Sequence, residues 1–264
     1  MNIWREKVPL RFACIDRSNR LTLWSIFNFF QEAAISHATV LGAGRDALAS
    51  SGQAWILSRF SIFVDRRPVY GQTVQVSSWP RGWEKLFAMR DYDIRDEEDK
   101  VLVRGRAAWL VLDVEKRRPL RSQSLKAELP TNDGIDAFPA GPVALGAREN
   151  LAKAGSRTAN YSDIDYYGHA NNARYIQWIQ DVTDMEIFTK ASQIRFDINY
   201  LNEVLPGETV ELWTETIDIA ADIAAEESEY KGDYPKQAAH VLAYEGRKSA
   251  SDQVAFRAEL RTGL

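Results

Sequence analysis

Two stretches of this chain are near copies set 136 positions apart: Gly71-Gln72-Thr73-Val74-Gln75-Val76 and Gly207-Glu208-Thr209-Val210-Glu211-Leu212. A second echo, Phe30-Gln31-Glu32 against Ile179-Gln180-Asp181, is offset by 149. Internal similarity of this kind predicts a chain that folds as two copies of one unit, and it restricts topology more than any isolated motif does. The 13-residue gap between the offsets falls in the loop at 42–54, long in the first copy and nearly absent in the second.

The content of one copy follows from periodicity. Leu23, Ile26, Phe27, Phe30, Ala33, Ala34, His37, Ala38 and Leu41 recur at helical spacing, which predicts an amphipathic helix over 21–41, ended by Gly42 and Gly44. Strand-like runs follow at 55–65, 73–79, 86–95 and 101–113; in the last, apolar positions alternate with Arg104 and Arg106. The second copy repeats this order, with a helix over 172–188 and strands at 193–200, 209–216, 238–245 and 254–261. Four prolines and three glycines between 119 and 148 predict a linker or loose crossover. The expected class is α+β, each copy a long helix wrapped by a mainly antiparallel sheet, with the two sheets joined edge to edge. The expected domains are 1–130, a linker at 131–150, and 151–264.

At 264 residues the chain can bury roughly three quarters of its unfolded surface and needs no disulfide or metal for stability. Cys14 is the only cysteine, which excludes an intrachain disulfide and fits a reducing compartment. The N-terminal MNIWREKVPLRF lacks an apolar core of signal-peptide length, and the apolar run at 107–112 is too short for a bilayer span. A soluble, cytoplasmic protein without membrane insertion is expected. A net charge of -4 argues against general nucleic-acid binding. Locally, eight basic residues between Lys100 and Lys126 outnumber two acids. That stretch, with Arg117, Arg118 and Arg121 at its centre, is a candidate docking surface for an acidic partner.

Overlaying the copies singles out one region. The 149 offset places Asp165 on Asp16, Gly168 on Asn19, His169 on Arg20 and Asn172 on Leu23; the 136 offset places Glu203 on Arg67. Taken singly, these residues have ordinary readings as caps, turn residues and surface groups. Together they put a carboxylate pair and an imidazole, able to activate water, in the second copy alone. A helix starting near Asn171 or Asn172 would add unpaired N–H groups and the positive end of its dipole. No nucleophilic cysteine, Ser-His-Asp order, phosphate loop or dinucleotide fingerprint accompanies them. His37, His169 and His240 are too scattered for a metal site, so neither metal nor cofactor is expected.

The run from Asp163 to Tyr175, DIDYYGHANNARY, resembles the helix-start signature of hot-dog-fold thioesterases. With the Val64-Asp65-Arg66 strand, a turn from Trp79 to Trp83 and the Trp109 strand, the whole chain resembles the double-hot-dog acyl-ACP thioesterases of plants and bacteria. The resemblance implies two tandem hot-dog domains as a pseudo-dimer, hydrolysing fatty acyl-ACP to free fatty acid and ACP in fatty acid biosynthesis. Catalysis would lie in the second hot dog and the acyl chain mainly in the first. By position it assigns catalysis to Asp165, His169 and Glu203. Asn171, Asn172 and Tyr167 are the expected oxyanion or substrate-binding residues, and acylated ACP is the expected partner.

Two positions depart from plant members: Tyr167 replaces an asparagine, and Val204 replaces a cysteine common there, which removes a thiol nucleophile at that position. Rival readings are an acyl-CoA thioesterase, favoured by Tyr167-Gly168, and a non-catalytic acyl- or carrier-binding module. A hot-dog hydratase is disfavoured by Ile164 and Tyr166 where it needs aspartate and asparagine. Chain-length preference is expected to depend on Trp24, Phe27 and Phe60. Either a monomer or a homodimer is compatible with the sequence.

Overall fold

The computed structural model describes residues 2–125, 127–138, 141–218, 235 and 238–263. They fall into two compact units, residues 1–60 with 66–142, and residues 61–65 with 143–264.

The first unit opens with β1 (Trp4–Pro9), a short 3-10 turn at Phe12–Cys14, and then α1 (Leu23–Val40). The Thr22 hydroxyl starts α1 by accepting the Ser25 N–H at 3.2 Å. Its apolar stripe is buried as the spacing predicts, with Ile26, Phe30 and Ala33 fully covered. Gly42, at φ 69°, lets the chain leave the helix in the left-handed region. Next come α2 (Arg45–Ala49), β2 (Gln53–Val64, whose last four residues fall in the second unit), β3 (Thr73–Glu84), β4 (Phe87–Arg95), β5 (Val101–Asp113) and the short β6 (Arg118–Leu120). The strands of this unit lie in the order β1-β3-β4-β5-β2, with β6 on β5. Phe30 packs its ring against Tyr92 of β4 and Phe60 of β2, which seats α1 on the sheet. The segment containing α2 accounts for the extra residues before the first copy's strands.

The second unit repeats the order: β7 (Ala152–Thr158), a 3-10 turn at Tyr161–Asp163, α3 (Asn172–Val182), α4 (Met185–Lys190), β8 (Gln193–Tyr200), β9 (Thr209–Thr216), β10 (Ala238–Lys248) and β11 (Val254–Gly263). Its strands run β8-β11-β10-β9-β7, each antiparallel to its neighbours. Tyr175 of α3 packs edge-on against Tyr200 and Phe256, seating the helix on its own sheet.

The structure departs from the sequence reading in four places. The helix expected over 172–188 is broken: Thr183 Oγ1 donates back to the Ile179 carbonyl at 2.7 Å and Asp184 accepts the Glu186 N–H at 2.9 Å, which starts a separate turn. The expected turn from Trp79 to Trp83 is strand. Pairing with β4 resumes at Gly82–Met89 after an irregularity at Pro80, beyond the last residue of β3 that pairs with β1, so the missing proline N–H disrupts only one edge. The strands β1 and β7 went unpredicted because WREKVP and AKAGSRT carry almost no apolar alternation. Finally, the segment read as loose is tied down. Ala137 donates to Asp91 Oδ2 at 2.9 Å, Asn132 Nδ2 to the Pro80 carbonyl at 3.1 Å and Trp79 Nε1 to the Ile135 carbonyl at 3.0 Å.

Candidate active site

The same turn is built twice, and its main chain shows where the offsets come from. In the second unit Asp165 N–H bonds the His169 carbonyl at 2.9 Å and Gly168 N–H the Asp165 carbonyl at 3.0 Å. Ala170 N–H then bonds the Val204 carbonyl, and Asn171 N–H the Asp163 carbonyl, both at 2.8 Å. In the first unit Asp16 bonds Arg20 at 2.9 Å, Asn19 bonds Asp16 at 3.0 Å, Leu21 bonds Pro68 at 2.8 Å and Thr22 bonds Cys14 at 3.0 Å, through the equivalent atoms. Gly168 and Asn19 both take positive φ, at 83° and 61°, which suits glycine and asparagine.

The side chains on these matching frames differ. The Ala170–Val204 bond brings residue 203 beside residue 169, and His169 Nε2 lies 3.1 Å from Glu203 Oε2 with both side chains about two fifths exposed (39% and 43%). Both groups are therefore reachable by solvent and by a substrate. Asp165 bonds His169 through the main chain; its Oδ1 accepts the Tyr167 N–H at 2.9 Å and so stiffens the turn that carries His169. Tyr167 itself is half exposed on that turn. Beneath the pair, Tyr175 is buried, and burial followed by the Glu203 charge pushes its phenol well above its ordinary pKa.

Asn171 is the N-cap of α3. Its Oδ1 accepts the Ala173 N–H at 2.9 Å and its carbonyl accepts the Arg174 N–H at 2.8 Å. With the Asn171 N–H given to Asp163, the Asn172 N–H is left at the helix start without an acceptor among the described residues. The Asn172 carbonyl is fixed from the other side by the Tyr200 hydroxyl at 3.0 Å. Sequence reasoning missed the parts played by the Val204 carbonyl and Tyr200. The 136 offset, which pairs Val204 with Pro68, was the available signal for the first.

In the first unit the equivalent position is closed. Arg67 Nη1 donates to Asp16 Oδ2 at 2.6 Å, with side chains 2% and 19% exposed. Burial alone would raise the Asp16 carboxyl, yet the Ser18 hydroxyl and the Arg67 charge hold it below the usual carboxylate range.

Of the basic stretch, Lys116, Arg117, Arg118 and Arg121 are exposed around β6, while Lys126 lies outside the described residues. Arg106 is not part of that surface: it is buried and donates to Asp91 and Asp136. A cavity in the first unit is lined by Trp55, Met89, Trp109 and Arg90 among others, whereas Phe27 and Phe60 pack edge-on at 4.8 Å in the core.

A helix seated on an antiparallel sheet, built twice and carrying a carboxylate–imidazole pair at one helix start, defines a tandem hot-dog protein of the thioesterase type. The chain belongs to the acyl-ACP thioesterase family: the family's N-terminal domain matches residues 1–124 and its C-terminal domain residues 149–258. Among solved structures it is similar to an acyl-ACP thioesterase from Bacteroides thetaiotaomicron, with a TM-score of 0.78 and 22% identity over 98% of this chain and 97% of that one. It also resembles the 12:0-ACP thioesterase of Umbellularia californica, with a TM-score of 0.74 and 17% identity over 98% and 96% of the two chains. By sequence it is 23% identical over 217 residues to a chloroplastic palmitoyl-acyl carrier protein thioesterase of Cuphea hookeriana, covering 76% of this chain and 52% of that protein. The chain spans about half the length of the first curated relatives it matches. Among the described residues no helix is long and apolar enough to cross a membrane.

Proposed function

We propose that this protein hydrolyses the thioester of fatty acyl-ACP, releasing free fatty acid and ACP in fatty acid biosynthesis, as a cytoplasmic enzyme. The observation that carries the proposal is the His169–Glu203 pair at 3.1 Å beside the start of α3, at a position the first unit fills with an arginine salt bridge.

In this reading Glu203, assisted by the second carboxylate oxygen of Asp165, holds water and takes its proton as the water oxygen bonds the thioester carbon. The Asn172 N–H and the dipole of α3 meet the developing oxyanion, with the Asn171 cap holding the helix start in place. The proton taken by Glu203 passes across the 3.1 Å contact to His169, which delivers it to the departing sulfur as the carbon–sulfur bond breaks, so the products are a carboxylic acid and a thiol and both side chains return to their starting states. Tyr167, exposed on the turn, lines the approach of the substrate. Water and these side chains supply every atom transferred, so no cofactor is invoked.

The acyl chain is proposed to occupy the cavity of the first unit, which makes residues 1–130 the chain-binding part and 151–264 the catalytic part. Arg117, Arg118 and Arg121 are proposed to meet the acidic carrier.

The test is hydrolysis of an acyl-ACP series from medium to long chains, with acyl-CoA of equal lengths alongside. Faster release from ACP, weakened by salt and by charge reversal at Arg117 and Arg118, is expected. Equal or faster release from CoA would replace the carrier assignment, and acyl binding without release from either would replace the enzyme reading.

A further inference from the structure

Among the described residues, the buried cations follow a pattern with one exception. Arg67 faces Asp16, Arg106 faces Asp91, Arg195 faces Asp197 and Lys248 faces Glu208. Arg90, in β4, is 7% exposed and has no carboxylate against it among the described residues. Its Nη1 donates to Ser78 Oγ at 2.9 Å and to His37 Nδ1 at 3.2 Å, which uses both Nη1 protons. His37 offers no charge in return: burial and then the Arg90 charge hold its pKa down to about 4, and its Nε2 proton goes to Asn2 Oδ1 at 2.9 Å. Three guanidinium N–H groups, on Nε and Nη2, remain without a protein acceptor among the described residues.

Arg90 is also the one charged side chain among the lining residues of the first unit's cavity, whose other walls are alanines, Trp55, Pro80, Met89, Trp109 and further apolar groups. The cavity holds about 70 Å³. A plain alkyl chain filling it would bury an arginine's unused donors against methylene groups, which costs free energy because nothing replaces the lost hydration.

We infer that this cavity is built for an acyl group that carries an oxygen on its distal part, whose hydroxyl, keto or carboxylate oxygen accepts the free N–H groups of Arg90. The inference rests on the reading of the cavity as the acyl site. The apolar walls take the hydrocarbon and Arg90 takes the oxygen, so the residue selects among chains of equal length by chemistry rather than by size.

The experiment measures binding and turnover separately. Binding of a terminally hydroxylated fatty acid and of the plain fatty acid of equal length, each capped as its pantetheine amide so that no free carboxylate competes for Arg90, is followed by calorimetry on the Glu203→Gln protein, with the oxygen then moved stepwise along the chain. Hydrolysis of the two matching acyl-ACP thioesters is followed with the unmodified protein. The oxygenated acid is expected to bind about tenfold or more tighter at its best oxygen position, as a hydrogen bond to a buried charge is worth at least that. The preference should disappear in Arg90→Met, with plain-chain binding kept or improved.

Equal binding of the two acids by the Glu203→Gln protein, preference for the plain chain, or a preference that survives Arg90→Met would overturn the inference. If Arg90→Met does not fold, the oxygen-position series alone decides it. Should the oxygenated acid bind tightly while neither thioester is hydrolysed, the hydrolase reading fails and this one stands.

Discussion

At Asp16 and at Asp165 the chain makes one turn with one set of main-chain hydrogen bonds, yet the side chains the two turns carry differ in charge and in exposure. In the first unit Arg20 and Arg67 replace His169 and Glu203, and Arg67 folds inward onto Asp16, almost wholly covered. In the second, the imidazole and carboxylate lie 3.1 Å apart with solvent access. The lesson is that the turn is a structural device in both copies, needed to start a helix over the sheet, and that its side chains are left free for other work: an ion pair in the first copy and, in the proposed function, catalysis in the second. The same division recurs along the helices. His37 is buried in the continuous α1, while its counterpart by the 149 offset, Glu186, sits at the start of the separate turn α4.

The comparison breaks most visibly at the working turn. Replacing Glu203 by glutamine or His169 by alanine is expected to lower turnover by about a thousandfold, the usual scale for a general acid or base, with the melting temperature unchanged, since both side chains are partly exposed. Steady-state hydrolysis with a thermal melt on the same samples checks it.

The next effect belongs to the first unit and to pH. His37 titrates near 6.5 when unfolded and about 4 when folded, because burial and Arg90 disfavour its charged form. Above 6.5 both states are neutral there. As pH falls from 6.5 to 4 the unfolded chain takes up a proton that the folded one refuses, so stability declines by roughly 3 kcal/mol over that window and is flat below it. Denaturant titrations across this range should show the slope, and His37→Gln should remove it.

Arg67→Ala leaves Asp16 without its partner and is expected to cost about 2–3 kcal/mol, less than a fully buried pair because Asp16 keeps some water. Urea unfolding reads the loss, and turnover should hold at temperatures where the variant is folded. The smallest effect sharpens the contrast between the helices. Asp184→Ala removes the cap of α4 for about 1 kcal/mol, with no counterpart in α1 because Ile35 stands there.

Much of this was legible in the residues. The duplication, α1 with its buried stripe, and the strands β5, β8 and β9 were readable because burial imposes a period on apolar residues. The two offsets also set His169 and Glu203 apart from Arg20 and Arg67, and the resemblance grouped them; their 3.1 Å contact came from the structure. Strands β1 and β7 were not readable, since main-chain pairing along an edge asks little of side chains such as those in AKAGSRT. Nor was the break at Thr183-Asp184, where two local side-chain bonds outweigh a continuous apolar pattern. Arg90 looked like any strand arginine; its lack of a carboxylate is a property of its neighbours in space, which no local pattern encodes.

The central claim is that chemistry resides at the second turn and stability at the first. The direct measurement is single-turnover hydrolysis of one acyl-ACP by Glu203→Gln and by Arg67→Gln, each shown to be folded at the assay temperature. The account predicts a loss of about a thousandfold for Glu203→Gln and a change within a few fold for Arg67→Gln. Near-normal hydrolysis by Glu203→Gln, or a comparable collapse in a folded Arg67→Gln, would contradict it.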